Sequence, residues 1–407
     1  MQKYLFFISF VLFIACGRGA QEVHFSPEQI ASLHLDATTA LRTETNSMIR
    51  VDLNPFLGEQ RFDFGSLVEE IKIVPLETST VESLVANIYK IVVTDAHIYI
   101  MDTFRGKGLI IFDREGNFVR RLSHGQGPGE LFRLFHFAYD FENNELVLYQ
   151  DRFLMYYTPD GQFIRQRELP FAFYNFLVTP NGYIFKALDR QGNNHLGHLE
   201  NYRLFVTDKD FKMVSMGMYY PPQGRTLGWY DYLYKNSGNI AITQAFSDTI
   251  YQFVSETNTL RARYLLDFSS RKLPARHLHY NSFEQFQRVI TRNNYYFFNG
   301  RYLETETHNV FFLDNFNRGR TIVYRDRRSG NLIGGKGGSF NLTEIPPIVF
   351  PISTFENWFI SSFWPGNGEY EPFRTQSTII SEEDKLKLQQ LEEEDNPVLV
   401  FFRLKNF

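Results

Sequence analysis

The stretch Ile98–Glu130, IYIMDTFRGKGLIIFDREGNFVRRLSHGQGPGE, constrains the fold of this chain more than any other. Three short apolar runs, Ile98–Met101, Leu109–Phe112 and Phe118–Leu122, are separated by turn chemistry. Asp113-Arg114-Glu115-Gly116 ends on a glycine that can take positive φ in a hairpin. Gly125, Gly127 and Gly129 then close the stretch with a link too flexible for a strand interior. The pattern is an antiparallel meander. It recurs: Phe112-Asp113-Arg114-Glu115-Gly116-Asn117-Phe118 matches Tyr157-Thr158-Pro159-Asp160-Gly161-Gln162-Phe163, and Phe163 follows Phe118 by 45 residues. A third unit places Phe211 a further 48 residues on, and a fourth runs from Asn236 to Leu266.

Four short strands repeating every 40–50 residues predict a β-propeller rather than a sandwich with coincidental turns. Fifth and sixth units follow at His308–Gly335 and Pro346–Phe363. Two helices interrupt the array, in Ser270–Arg301 with Ser282 as cap, and in Ser381–Glu394. A third, short one follows the capping sequence Ser26-Pro27-Glu28-Gln29, in an otherwise irregular lead-in. The final strand, Pro397–Leu404, leaves the sixth unit one strand short. Val68–Leu76 is the spare strand that completes it, closing the ring and removing an exposed edge. The expected fold is therefore all-β, a six-bladed propeller of four-stranded antiparallel blades sealed by an N-terminal strand. The 407 residues carry 42 Phe and 23 Tyr, an aromatic excess that favours sheet. A net charge of −4 is at odds with a general nucleic-acid binder, which needs a basic surface.

The N-terminus reads as a targeting segment. Lys3 precedes the apolar run Tyr4–Ala15, in which only Ser9 is polar, and the run is too short for an ordinary membrane span. It ends at Cys16, the chain's one cysteine, in a context resembling a bacterial lipoprotein signal. Residues 1–16 are thus expected to be a signal peptide ending at a lipidated Cys16, 17–60 a tether and lead-in, and 61–407 the propeller. Gly17-Arg18-Gly19 is not an acidic export run, so a periplasmic and a surface-facing position both remain open for an outer-membrane lipoprotein.

Ile73–Ser79 (IVPLETS), the IYIMD strand, Gly125–Glu130 (GQGPGE) and Glu393–Lys405 (EEDNPVLVFFRLK) together resemble the six-bladed β-propeller lipoproteins of Bacteroidetes, which are similar to NHL-repeat propellers. The resemblance implies a cell-envelope address and no settled activity. Fold alone does not transfer function.

Candidate functional residues cluster near strand ends. Asp102, Asp151 and Asp314 recur where a second strand ends; they read first as turn devices, and as a Ca2+-type oxygen set if they converge on a channel. No metal or cofactor is required by the sequence. Arg105 and Arg152 follow two of these aspartates and would suit an anionic ligand. Gln126 lies in GQGPGE, which lacks the Lys-Ser/Thr of a phosphate loop and reads as a blade-to-blade crossover. Met216–Tyr234 reads as an aromatic insertion between units, in which Trp229 and Tyr230 could stack on a sugar or peptide. Histidines are scattered through the mature body, His136, His195 and His198 among them, without a His-Glu-x-x-His or Gly-x-Ser-x-Gly motif. The expected function is a non-catalytic envelope module binding a glycan, peptide or protein. The alternative is a divalent-metal lactonase or lyase.

Overall fold

In the computed structural model, the described residues are 25–102, 108–122, 125, 127, 129–187, 193–219, 232–236, 238–278, 282–336, 348, 350–366 and 377–407. They form six four-stranded antiparallel blades. Blade 1 comprises Lys90–Val93, His97–Asp102, Gly108–Asp113 and Phe118–Leu122. Blade 2 comprises His136–Asp140, Glu145–Gln150, Phe153–Tyr157 and Phe163–Glu168; blade 3 comprises Asn175–Thr179, Gly182–Lys186, Tyr202–Asp208 and Met213–Tyr219. Blade 4 comprises Tyr232–Asn236, Asn239–Thr243, Thr249–Val254 and Thr259–Asp267. Blade 5 comprises Phe297–Glu304, His308–Asn315, Gly319–Asp326 and Leu332–Lys336. Blade 6 takes Ser353–Phe355, Trp358–Phe363 and Val398–Leu404 from the C-terminal part and Val68–Pro75 from the N-terminal part. First strands of successive blades lie against one another at five of the six junctions, Lys90 bonds across to Phe137 O at the sixth, between blades 1 and 2, and together they ring the central axis.

Ring closure is as expected. Val68–Pro75 pairs antiparallel with Val398–Leu404 along its whole length, from Leu404 opposite Val68 to Val398 opposite Pro75. The motifs that carry the family resemblance build this joint. Buried Asn396 donates through Nδ2 to Glu77 O (2.7 Å) and Ser83 O (2.8 Å), and its Oδ1 accepts from Val85 N (2.8 Å). The Glu77 carboxylate accepts from Phe118 N at 2.6 Å, which ties the last blade to the first. Gly116, at φ +93°, is required here because an added Cβ would sit 2.1 Å from Pro75 O.

The repeated corner is also real, with one correction of register. Asp113, Thr158 and Asp208 each donate their N–H to the carbonyl four residues on and accept at their own carbonyl from Gly116, Gly161 and Phe211. All three of these last residues have positive φ. Phe211 therefore stands where the other blades have glycine, and Met213, opposite Thr207, is the counterpart of Phe118 and Phe163. The sequence alignment slipped by two residues because Phe211 supplied the aromatic side chain that the pattern sought.

The lead-in is more ordered than expected. Ser26 caps a short helix, Pro27–Ala31, with a full capping box. Thr39–Ala40 then pairs parallel to the outer strand of blade 3, and Arg42–Glu44 and Ile49–Asp52 pair parallel to the outer strand of blade 4. At blade 5, Lys336 N donates to Gln60 O, and Glu59 ion-pairs Lys336 (2.8 Å) and Arg318 (2.9 Å). Residues 33–75 thus run as a belt around the outer rim. The belt also drives apolar side chains into the seams between blades. Leu33 joins the core between blades 2 and 3, Leu41 that between 3 and 4, Val51 and Leu53 that between 4 and 5, and Phe64 and Leu67 that between 5 and 6. Val74 and Leu76 reach the core between blades 6 and 1. Buried apolar area of this kind stabilises at roughly 25 cal/mol per Å2, so the belt acts as a wedge at five seams.

Candidate functional site

The two faces of the propeller differ in kind. On one, all hairpins joining first to second and third to fourth strands are reversals of two to five residues, such as 180–181 and 158–162. On the other lie the blade-to-blade links and the second-to-third-strand connections, among them 76–89, 187–201, 268–296 and 364–397. Both longer helices, Phe283–Asn293 and Glu382–Gln389, belong to this loop face. Long connections on a rigid frame are where binding residues concentrate.

The inner strands open at the loop face, and four consecutive ones begin with a polar residue: Ser353, whose hydroxyl donates to Ile91 O at 2.9 Å, then Lys90, His136 and Asn175. Lys90 Nζ lies 2.9 Å from His136 Nε2 and donates to Phe137 O at 2.7 Å. Among the described residues no carboxylate pairs with it. Burial of the ammonium pulls Lys90 down from 10.5 to about 7. Burial, then the neighbouring Lys90 charge, holds His136 well below the ordinary imidazole value, so the ring is neutral. A charged Lys90 can only donate, so Nε2 accepts and the ring proton is assigned to Nδ1. That Nδ1–H is buried without a partner, as is Asn175 Oδ1. His136 is 5% exposed and Asn175 8%, and both orphan atoms are buried without a protein partner among the described residues. The His136 ring rests edge-on against Phe176 at 5.4 Å, which fixes its plane.

Towards the hairpin face, Lys235 of blade 4 reaches across to blade 2, with Nζ 4.3 Å from the Phe141 ring centroid. The seam between blades 4 and 5 holds Glu304, 1% exposed. It is bonded by Arg263 (2.8 Å), Asn239 (3.0 Å), Asn309 (2.8 Å) and the Tyr302 hydroxyl. This carboxylate is satisfied on every side and holds the seam.

The residues singled out from sequence fare differently. The Asp102 carboxylate accepts from Ala86 N (2.7 Å) and Asn87 N (3.2 Å), which pins the link leading into blade 1. Asp151 is an exposed turn residue at φ +54°. Asp314 accepts from Asn299 and from Arg320, both at 2.8 Å. All three terminate second strands at the loop face, yet each is used locally; among the described residues no group of three His, Cys, Asp or Glu side chains is placed to hold a metal. Arg152 ion-pairs Glu168 at 2.9 Å. Cys16, Arg105, Gln126, Trp229 and Tyr230 lie outside the described residues. The ends of the aromatic insertion are strand: Met216–Tyr219 belong to blade 3 and Tyr232–Tyr234 to blade 4. Gly125, Gly127 and Gly129 do form the crossover between blades 1 and 2, where Glu130 bonds back to Gly127 N at 2.7 Å. Sequence reasoning passed over Lys90 and Asn175 and treated His136 as one scattered histidine. The available signal was a polar residue heading an otherwise apolar first strand in three successive units.

A protein of Bacteroides fragilis described as a candidate for export has the same fold, with a TM-score of 0.70 over 88% of this chain and 100% of that one, at 20% identity. The extracellular domain of a one-component system of B. thetaiotaomicron matches more distantly, at a TM-score of 0.33 and 14% identity over 74% of this chain and 32% of that one. A protein of unknown function from Bacteroides caccae gives 0.34 at 10% identity over 61% and 80%. No curated protein sequence matches the chain. The family model described as Domain of unknown function (DUF4934) matches residues 48–403, from the belt through the closing strand. Nearly the whole propeller is thus accounted for by one family, and the chain belongs to DUF4934.

Proposed function

We propose that this protein is a cell-envelope lipoprotein, anchored through acylated Cys16, whose propeller binds an extracytoplasmic glycan, peptide or protein at its loop face without catalysing a reaction on it. The observation that carries this reading is the division of labour between the faces: tight reversals on one, and on the other the long connections together with Lys90, His136 and Asn175 at the heads of inner strands. The export description of the B. fragilis relative is in keeping with the address. Phe25 packs on His195 of the 193–199 segment, at a ring separation of 4.8 Å. A lipid on Cys16 would therefore lie within about 30 Å of the loop-face rim, since nine chain steps span no more.

Two measurements test the reading. Metabolic labelling with an alkyne fatty acid should mark the wild type and not Cys16→Ser. A glycan, peptide and envelope-protein binding screen should find a ligand whose affinity falls on substitution of exposed loop-face residues such as Arg152 or Phe132 and stays unchanged on substitution at the 158–162 hairpin. A ligand sensitive only to the hairpin face would overturn the assignment.

A further inference from the structure

We infer that Lys90, His136 and Asn175 form a site for the carboxylate of a small acidic ligand at the loop-face mouth of the channel. The inference rests on the loop-face binding reading and names the chemistry of its ligand.

Three features point the same way. Lys90 brings a positive charge to the ring of inner strands, and among the described residues no carboxylate answers it. Its Nζ uses two donors, on His136 Nε2 (2.9 Å) and Phe137 O (2.7 Å), and a third N–H remains. His136 Nδ1, buried and unpartnered, offers a second donor. Asn175 occupies the same position in the next blade and also carries an unpaired polar atom, in an amide whose oxygen and nitrogen ends are interchangeable by a flip. An uncompensated cation in a desolvated place is costly, and orphaned donors add to that cost. An oxyanion removes both at once, through charge-assisted bonds about twice as strong as neutral ones. Asp102, one residue past the Met101 that pairs with Lys90 across the blade, does not serve, because its Oδ2 accepts from Ala86 N and Asn87 N. A neutral water could answer the same orphan atoms but would bring no charge to Lys90.

The experiment uses the mature protein labelled with 15N-histidine. Sodium acetate and sodium glucuronate are titrated in a carboxylate-free buffer at pH 6, with sodium chloride and glucose as controls. Both carboxylates should move the His136 Nδ1 resonance saturably, and neither control should. Lys90→Met should weaken the response by at least about tenfold, and Lys90→Arg should retain much of it. Should Lys90→Met fail to fold, Asn175→Asp, which sets a negative charge beside the site, should produce the same loss. A His136 resonance that ignores both carboxylates in the wild type overturns the inference, as does an unchanged response in Lys90→Met. The two readings fail separately. A screen ligand that binds the loop face equally well with Lys90→Met leaves the binding module standing and removes the carboxylate site from it. A ligand confined to the hairpin face removes the module while the acetate titration stands on its own.

Discussion

Replacing Lys90 by Met should change how stability depends on pH more than it changes stability itself. In the unfolded chain Lys90 titrates near 10.5, and in the folded protein burial brings it to about 7. Between these values the unfolded state holds a proton that the folded state lacks, so stability rises with pH across that window and is lowest below about 7, where both states are charged. At about 1.4 kcal/mol per pH unit the full penalty is near 5 kcal/mol. Lys90 is only partly buried by surface area, so we discount this to about 3 kcal/mol as the working figure. Methionine keeps the length and loses the charge, but it strands His136 Nε2 and Phe137 O, which costs about 1–3 kcal/mol at any pH. That constant cancels when the two proteins are compared at two pH values. Urea unfolding at pH 6 and pH 9.5, in buffers without carboxylates, should show the wild type gaining about 1.5 kcal/mol more than Lys90→Met over that range, since pH 9.5 still lies below the unfolded value. Parallel pH profiles for the two proteins would refute the argument, since they would mean that Lys90 titrates as an ordinary surface lysine.

Other outcomes follow from the closing joint and the belt. Asn396→Ala removes the three bonds its side chain makes to the 77–85 link, leaving Val85 N and two carbonyls unpaired while the bond from residue 396 N to Thr78 Oγ1 remains; it should lower stability by roughly 3 kcal/mol in urea. Gly116→Ala places a Cβ against Pro75 O at a positive φ, and thermal unfolding should show a loss of more than about 1 kcal/mol, with Asn117→Ala as a milder control at the same turn. Deleting residues 1–53 withdraws Leu33, Leu41, Val51 and Leu53 from three seams. Calorimetry should then record one transition at lower temperature, and separate melting of blades 1–2 and 3–6 would contradict a ring held as a unit. Arg50→Ala should cost little in spite of its 2.6 Å pair with Asp267, because the guanidinium is largely in solvent. Its measurable trace should be the acid limb of stability: Arg50 and local hydrogen bonds hold the Asp267 carboxyl below its ordinary value, so stability present above about pH 4 and lost on acidification should shrink in the variant.

The architecture was legible because propeller blades are local. Each hairpin is written in alternating apolar residues and a turn within a dozen positions, as at Asp113–Phe118, and a 45-residue repeat needs no long-range information. The closing strand was legible for a different reason: Val68–Leu76 had no other partner in a count of strands. The belt was not, since Thr39–Glu44 and Ile49–Asp52 are short, exposed edge segments whose pairing is set by the outer strands they meet, not by their own pattern. The polar mouth escaped for a similar reason. Lys90, His136 and Asn175 are 39 to 46 residues apart, and only the radial arrangement shows that they head equivalent strands. For Asp102, sequence shows a carboxylate but not the two backbone N–H groups that its Oδ2 accepts from.

The belt also dictates an order of events in the life of the chain. Ribosomes deliver residues 33–75 before any of the blades whose rims they must grip, and Glu70 waits for Arg403 more than three hundred positions later. Until then this amphipathic ribbon has nothing to lie on. The one apolar seam assembled without it, between blades 1 and 2, draws on residues 92–157 alone and can consolidate while synthesis continues. Maturation should accordingly run from that pair of sheets outward, with the earliest-made segment settling last, and the interval in which it hangs loose is when proteases and holding chaperones would find it.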